Sequence, residues 1–280
     1  MLLYMLARVV SFLLRRLPQR FLYVMAVVLG EALYLAWPRA RRTAQENMRL
    51  VLGPEATRRA VNRAARRAFR NLVRYCAEFV CSHKGCEERV SFTGLEHLDM
   101  ALADGKGAIV VGLHMGSWDL AGMSVARRRY RLNVVVDKFC NDQVNRWVQR
   151  MRSQVGMKVV SVKEGMPALF RALRRNELLA LLIDCPALGN VKVRFCGAMA
   201  KVPGGAAALA LRTGAKIVPG TVVRTPGNRF MTFFDKPLHF EPSGDFSRDV
   251  EALTQHIMEA LEKTVRQYPD QWFMFRRIWV

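Results

Sequence analysis

The stretch that most constrains the fold is an apolar run at residues 108–113, Ala-Ile-Val-Val-Gly-Leu. The run is short, rich in β-branched side chains and bounded by glycines, which is typical of a strand buried on both faces in a parallel sheet. Gly116 and Ser117 follow it and suit a tight turn and the residue that caps a helix. The sequence therefore predicts a strand–turn–helix unit with His114 at the end of the strand.

The same alternation of strand and helix patterns continues along the rest of the chain. We predict strands at residues 107–113, 132–136, 157–162, 178–183, 216–223 and 229–234. We predict helices at residues 117–130, 141–155, 166–175, 203–213 and 247–267. Because strands alternate with helices, the sequence predicts an α/β fold with a mostly parallel sheet flanked by helices on both faces.

The first quarter of the chain is both basic and apolar. Residues 1–75 contain fifteen Lys or Arg and three Asp or Glu, in a chain whose net charge is +21. So large a positive charge points to nucleic acid or to an anionic membrane. The same residues contain the longest apolar runs, and this combination suits lipid better than nucleic acid. We therefore expect an anionic phospholipid membrane as a partner, and no nucleic acid.

Two apolar stretches, residues 1–14 and 21–37, begin this region. A helix that spans a bilayer needs about 20 apolar residues, and an Arg interrupts the first stretch and a Glu the second. This favours helices that lie in the interface or form a hydrophobic hairpin, with core helices of a soluble domain as the alternative. No small-residue cleavage site follows the first stretch, which argues against a removed signal peptide. We interpret residues 1–90 as a membrane-associating helical extension and residues 91–280 as one α/β domain.

A further helix is predicted at residues 54–80, where apolar residues recur at helical spacing on one face. Six arginines lie on the opposite face. That face either lies in solvent or rests on anionic lipid headgroups, and the scarcity of acidic residues around it favours the headgroups.

His114 and Asp119 are the candidates for chemistry. The carboxyl ends of strands line the ligand crevice of α/β sheets, and His114 comes at such an end. Asp119 falls in the first turn of the predicted helix, where a carboxylate can hold one imidazole nitrogen so that the other takes a proton. From spacing alone, the alternative is that Asp119 only caps the helix and that His114 is a core histidine.

The sequence lacks the motifs of several other kinds of enzyme and metal site. Ser117 is not in a G-x-S-x-G motif, because position 119 is Asp. The P-loop and dinucleotide fingerprints are absent. The six cysteines lack the close C-x2-C pairs of a zinc ribbon, which favours reduced, structural thiols over a metal site. We expect no metal and no cofactor.

His114 and Asp119 form a His-x4-Asp pattern within HMGSWDLAG, which resembles the lysophospholipid acyltransferase superfamily. More closely, it is similar to the bacterial lipid A late acyltransferases and the related phosphatidylinositol mannoside acyltransferases. Residues 141–160, 178–220 and 268–279 carry the same resemblance, the last of them as YPDQWFMFRRIW. The resemblance implies a glycerol-3-phosphate acyltransferase-like fold.

It also implies transfer of a fatty acyl group from acyl carrier protein (ACP) or coenzyme A (CoA) to a hydroxyl of a lipid or glycolipid, such as a lipid A precursor. His114 would be the general base and Asp119 would hold its imidazole. The expected location is the cytoplasmic face of the bacterial inner membrane, as a peripheral, monotopic or single-pass protein. Two alternatives stay open: a lysophospholipid or glycerol-phosphate acyltransferase, and a non-catalytic protein that binds anionic membranes or nucleic acid.

The remaining candidates are expected to bind substrate. Asp184 ends a predicted strand and would face the same sheet edge as His114, although a turn before Pro186 explains it equally well. Basic side chains would hold phosphate groups, and a Pro-Gly helix start would offer free N–H groups to an anion. The substrate-binding candidates are Lys138, Arg146, Arg152, Asp184, Gly204, Arg276 and Arg277.

Overall fold

The structure, a computed structural model, describes residues 2–81, 86–136, 141–161 and 165–280. Its first helices are α1 (Leu2–Leu14), α2 (Gln19–Ala36), α3 (Pro38–Leu52) and α4 (Arg58–Cys81). Helices α2, α3 and α4 pack around an apolar cluster that includes Tyr34, Met48 and Phe69. Val61, Ala65 and Ala68, from the apolar face predicted for the helix at 54–80, belong to this cluster.

The strands follow from residue 90 onward. They are β1 (Val90–Thr93), β2 (Ala108–Gly112), β3 (Leu132–Val136), β4 (Lys158–Ser161), β5 (Leu178–Leu182), β6 (Val191–Phe195), β7 (Ala198–Val202), β8 (Lys216–Thr225) and β9 (Arg229–Phe234). Within the described residues, seven of them form one sheet in the order β1-β9-β8-β2-β5-β3-β4. Neighbouring strands are parallel except for the antiparallel pair β8–β9. Strands β6 and β7 form a separate antiparallel hairpin.

Helices cover both faces of the sheet. They are α5 (Glu96–Leu102), α6 (Trp118–Arg127), α7 (Asp142–Gln154), α8 (Gly165–Arg174), α9 (Gly205–Thr213) and α10 (Phe246–Gln267). Along β2, Ile109 and Val111 belong to the core formed with α9 and α10, whereas Ala108 belongs to the core formed with α5 and α6. Strand β2 is therefore buried on both faces at the centre of the sheet, as its uninterrupted apolar run predicts.

These elements confirm the α/β fold with a mostly parallel sheet. Each predicted strand and helix is present, with ends that differ by a few residues. Sequence analysis missed α3, β1, α5 and the β6–β7 hairpin. The hairpin could have been found, because buried and exposed residues alternate along β6 in the Val-Lys-Val-Arg-Phe pattern typical of a half-buried strand.

The first two helices keep much apolar surface exposed. On α2, Leu22, Tyr23 and Ala26 are buried, whereas Val24 and Val28 on another face are each 62% exposed. Other exposed apolar side chains are Val9, Phe12, Leu13, Phe21, Leu35 and Trp37. Among the described helices, α2 is the one long and apolar enough to cross a membrane by length and composition.

Polar contacts join α4 to the sheet. Glu78 of α4, 3% exposed, forms an ion pair with Arg224 of β8. Asn71 donates a hydrogen bond to the carbonyl of Asp270, 2.9 Å away. Helix α4 therefore packs closely against the α/β part of the chain, and the boundary near residue 90 stays a prediction.

Candidate active site

His114 and Asp184 meet at the carboxyl edge of the sheet. His114 follows β2 and Asp184 follows β5, and these strands are parallel neighbours, paired from Ala108–Leu178 to Gly112–Leu182. The His114 Nδ1 lies 2.6 Å from the Asp184 Oδ1, and the backbone N–H of His114 donates to the Asp184 Oδ2 at 2.9 Å. An ionised Asp184 can only accept, so in the neutral imidazole Nδ1 carries the ring proton and Nε2 has the free lone pair.

Each member of this pair stabilises the charged form of the other. Full burial acts to raise the pKa of the Asp184 carboxyl, but the charge of His114 and the hydrogen bonds from His114 and Trp272 hold that pKa below its ordinary value. Burial of the ring acts to lower the pKa of His114. The charge of Asp184 and its hydrogen bond to the ring outweigh burial and raise that pKa above its ordinary 6.5. Asp184 therefore stays ionised and favours the imidazolium.

Asp119 does not take the position expected from the sequence. Asp184, and not Asp119, bonds the His114 ring. The Asp119 carboxylate instead accepts hydrogen bonds from Arg152 Nε at 2.6 Å and Nη2 at 3.0 Å, and from the Tyr75 hydroxyl at 2.5 Å. The first turn of α6 points this side chain toward α4 and α7, whereas the neighbouring strand β5 brings Asp184 beside the imidazole. The charge of Asp119 still acts on His114 in the direction that raises its pKa.

Aromatic rings surround the pair. Trp118 meets the His114 ring edge-on, with ring centroids 5.2 Å apart, and stacks on Tyr75 at 3.9 Å. Phe273 lies 5.9 Å from Trp118. Burial and the Asp119 charge raise the pKa of Tyr75 well above its ordinary value, so its hydroxyl remains a donor. Helix α4 thus contributes directly to the site.

The C-terminal segment, residues 271–279, is hydrogen-bonded to Asp184 and to the loop that carries His114. The Trp272 indole N–H donates to the Asp184 Oδ2 at 2.9 Å. The Phe273 N–H donates to the carbonyl of His114 at 2.8 Å, and the Gly116 N–H donates to the carbonyl of Gln271 at 2.9 Å. Three residues at or beside the base, His114, Gly116 and Asp184, are therefore fixed by hydrogen bonds with one C-terminal segment.

A mostly apolar cavity of about 140 Å³ adjoins the site. Trp118, Asp119 and Arg152 line it together with apolar side chains of β2, β3, β5, β8 and α6. Gly122 and Met157 also form part of its wall. The cavity offers an apolar ligand space beside Trp118, whose ring contacts that of His114.

The structure brings some of the predicted binding residues to the site and not others. Two of them belong to the site: Asp184 bonds the His114 ring, and Arg152 bonds Asp119. Arg146 is exposed on α7, and Lys138 lies outside the described residues. The Gly204 N–H is not free for an anion, because the Asn190 side chain accepts from it at 2.8 Å.

The two C-terminal arginines differ. Arg277 forms an ion pair with Glu46 at 3.0 Å, and its role in substrate binding stays a prediction. Arg276 is exposed, and its charge acts on the His114 ring, in the direction that lowers the pKa of the histidine.

Two site residues escaped sequence analysis. Tyr75 belongs to a helix interpreted as part of a separate extension, and Trp272 lies almost 160 positions from His114 along the chain. The signal for Trp272 was its place in the YPDQWFMF stretch that carries the resemblance. For Tyr75 the sequence pattern offered only a position near the apolar face of α4.

Comparison with known proteins gives the family of the chain. The model of the family described as bacterial lipid A biosynthesis acyltransferase matches residues 1–280. The chain belongs to this family. The resemblance found in the sequence is thereby confirmed, and the family name indicates an acyltransferase.

Curated relatives of this lipid A acyltransferase family member are phosphatidylinositol mannoside acyltransferases. The protein of Mycobacterium tuberculosis is 30% identical over 195 residues, which are 67% of this chain and 59% of the relative. That of Mycolicibacterium smegmatis is 26% identical over 204 residues, which are 71% of this chain and 65% of the relative. The chain thus spans about three fifths of the length of these relatives.

Proposed function

We propose that this protein transfers a fatty acyl group from an acyl thioester, acyl-ACP or acyl-CoA, to a hydroxyl of a lipid or glycolipid acceptor. The observation that carries the proposal is the 2.6 Å contact between His114 Nδ1 and Asp184, with the imidazole still 37% exposed. Within the described residues the ring makes no other hydrogen bond. A base that is held on one nitrogen and open on the other suits a hydroxyl substrate.

The reaction follows from that arrangement. The Nε2 of His114 takes the proton of the acceptor hydroxyl as its oxygen attacks the thioester carbonyl. The C–S bond then breaks, the acyl group stays on the acceptor oxygen, and the thiolate takes the proton back from the imidazolium. Asp184 holds the tautomer and stabilises the imidazolium, and no acyl-enzyme forms. A positioned base of this kind contributes about 10²–10⁴-fold to a rate.

Asp119 has a supporting role in this proposal. Its charge favours the imidazolium at longer range, and its bonds to Arg152 and Tyr75 fix α6, α7 and α4 around the base. The apolar cavity beside Trp118 is suited to the acyl chain.

The acceptor class rests on the family and its relatives. The names of both refer to glycolipid products, so we favour a glycolipid acceptor such as a lipid A precursor or a mannosylated phosphatidylinositol. A lysophospholipid or a glycerol phosphate would use the same chemistry at the base.

The surface of α1, α2 and α4 supports a membrane location. The exposed apolar face of α2 adjoins Glu31, which pairs with Arg66 and Arg70 of α4. The groove along α4 is lined by Arg58, Arg59, Asn62, Arg63, Arg66, Arg67 and Arg70. Apolar side chains beside arginines suit an anionic interface. We propose the cytoplasmic face of the bacterial inner membrane, where such phospholipids are available.

The proposal is tested by acyl transfer in membranes that contain the wild type or His114→Ala, supplied with labelled palmitoyl thioester and total native lipid. Labelling of one lipid species by the wild type, and its loss in an equally abundant His114→Ala protein, supports the proposal and identifies the acceptor. Full activity of His114→Ala, or no consumption of donor by the wild type, overturns it. Vesicle or DNA binding that is unchanged in the variant, without transfer, would then favour a non-catalytic binding protein.

A further inference from the structure

Arg276 is an exposed cation beside the candidate base. It lies three residues after Phe273, whose N–H bonds the carbonyl of His114. Three residues of extended chain reach at most about 11 Å, so the backbone of Arg276 starts close to the base. Consistent with this, its charge acts on the His114 ring.

The backbone of Arg276 is held in place. Asn47 of α3, 0% exposed, donates to the carbonyls of Met274 at 2.7 Å and of Arg276 at 3.2 Å. The Trp279 indole N–H in turn donates to the Asn47 side-chain oxygen at 2.7 Å. The backbone of Arg276 is therefore fixed, and only its side chain is free to adapt.

The Arg276 guanidinium has no ion-pair partner in the described part of the chain. The next residue makes the contrast clear, because Arg277 is bound by Glu46 through two contacts of 3.0 Å. A free cation near His114 repels the imidazolium that acyl transfer requires. A bound anion would cancel this repulsion, and a guanidinium binds phosphate oxygens in bidentate fashion.

We propose that Arg276 binds a phosphate group of a substrate at the mouth of the site. This inference rests on the proposed acyl transfer. The phosphate belongs either to the pantetheine arm and nucleotide of the donor or to the headgroup of the acceptor lipid.

The test compares two donors that carry the same acyl chain. Palmitoyl-CoA contains phosphate groups, whereas palmitoyl N-acetylcysteamine has the thioester without any phosphate. The full-length wild type, Arg276→Gln, Arg276→Lys and Arg277→Gln are assayed with total native lipid, and KM is measured for each donor and for the lipid. Arg277→Gln is the matched control, because it removes the same charge one residue further on. Thermal unfolding of each variant reports its folding.

A KM for palmitoyl-CoA that rises about tenfold or more in Arg276→Gln, with palmitoyl N-acetylcysteamine unaffected, supports a donor phosphate. A rise in the half-saturating lipid concentration with both donors supports an acceptor phosphate. In either case Arg276→Lys should recover part of the affinity. The inference is overturned if no KM changes, if only kcat changes, or if Arg277→Gln has the same effect. A wild type that transfers no acyl group refutes the proposed function itself, which is a different result.

Discussion

Asp184 holds His114 at two points, with Oδ1 on the ring Nδ1 at 2.6 Å and Oδ2 on the backbone N–H at 2.9 Å. One carboxylate therefore sets both the tautomer of the base and the backbone from which it extends. Because the indole of Trp272 also donates to this carboxylate, the rotation of Asp184 is restricted as well.

Replacing Asp184 by Asn should lower kcat about 10²–10⁴-fold while the protein still folds. The amide can keep the shape of the side chain, but it carries no charge to stabilise the imidazolium and can present an N–H to Nδ1. The measurement is acyl transfer at saturating donor, with Asp119→Asn as the comparison. A loss in Asp119→Asn that exceeds the loss in Asp184→Asn would return the orienting role to Asp119.

The pH dependence of the reaction follows from the raised pKa of His114. The free imidazole is the reactive form, so activity is lost as pH falls through this pKa. Because Asp184 raises the pKa of His114, the acid limb of the kcat/KM profile should lie above 6.5 in the wild type. In any Asp184→Asn protein that retains measurable activity, the limb should move to lower pH. A wild-type limb below 6.5 would contradict the charge coupling of the pair.

Replacing Arg152 by Gln should destabilise the fold, because it leaves the buried Asp119 carboxylate without its ion pair. The Asp119 and Arg152 side chains are 6% and 11% exposed, and breaking a buried pair from one side costs about 3–5 kcal/mol. The double variant Asp119→Asn with Arg152→Gln should recover part of this loss, since it removes the orphaned charge. The free energy of unfolding by urea measures both. Equal stability of the single and double variants would count against the pair.

The sequence was sufficient for the central strands and the helices between them, but not for the order of the strands in the sheet. Apolar runs located β2 and β5 to within a residue at each end, and both His114 and Asp184 were expected at the same edge. That β5 is the direct neighbour of β2 depends on packing between residues about 70 positions apart, and no local pattern carries that information. For this reason Asp119, five positions from His114, was the natural choice, although its helix turns it toward Arg152.

The same limit applies to α4. Its helical period was clear, but Tyr75 reaches Asp119 only because α4 packs across the end of the sheet. Local sequence cannot report on that docking. The local sequence likewise gave no reason to expect different roles for Arg276 and Arg277. They differ because Glu46 of α3 lies within ion-pair distance of Arg277.

Charging the exposed face of α2 should weaken membrane binding without changing the site. Val24 and Val28 are each 62% exposed, and Glu at both positions would oppose contact with the acyl region and with anionic headgroups. Sedimentation with vesicles of anionic phospholipid measures the effect. Met199→Glu on the β6–β7 hairpin is the control, because its side chain is also exposed but lies on another element. An equal loss in the control would mean that α2 is not the membrane-binding surface.

Filling the cavity at Gly122 should shorten the acyl chain that the protein accepts. A Cβ at this position would lie 3.1 Å from the Met157 sulfur and 3.6 Å from a Leu132 methyl. Gly122→Val should therefore narrow the cavity that these three residues line. Each methylene that can no longer be buried loses about 0.8 kcal/mol, or roughly fourfold in kcat/KM. Competition between thioesters of 10 to about 18 carbons measures the shift, with Gly205→Ala on α9 as the control, where a new methyl meets open space. Unchanged selectivity in a folded, active Gly122→Val protein would mean that the acyl chain lies elsewhere.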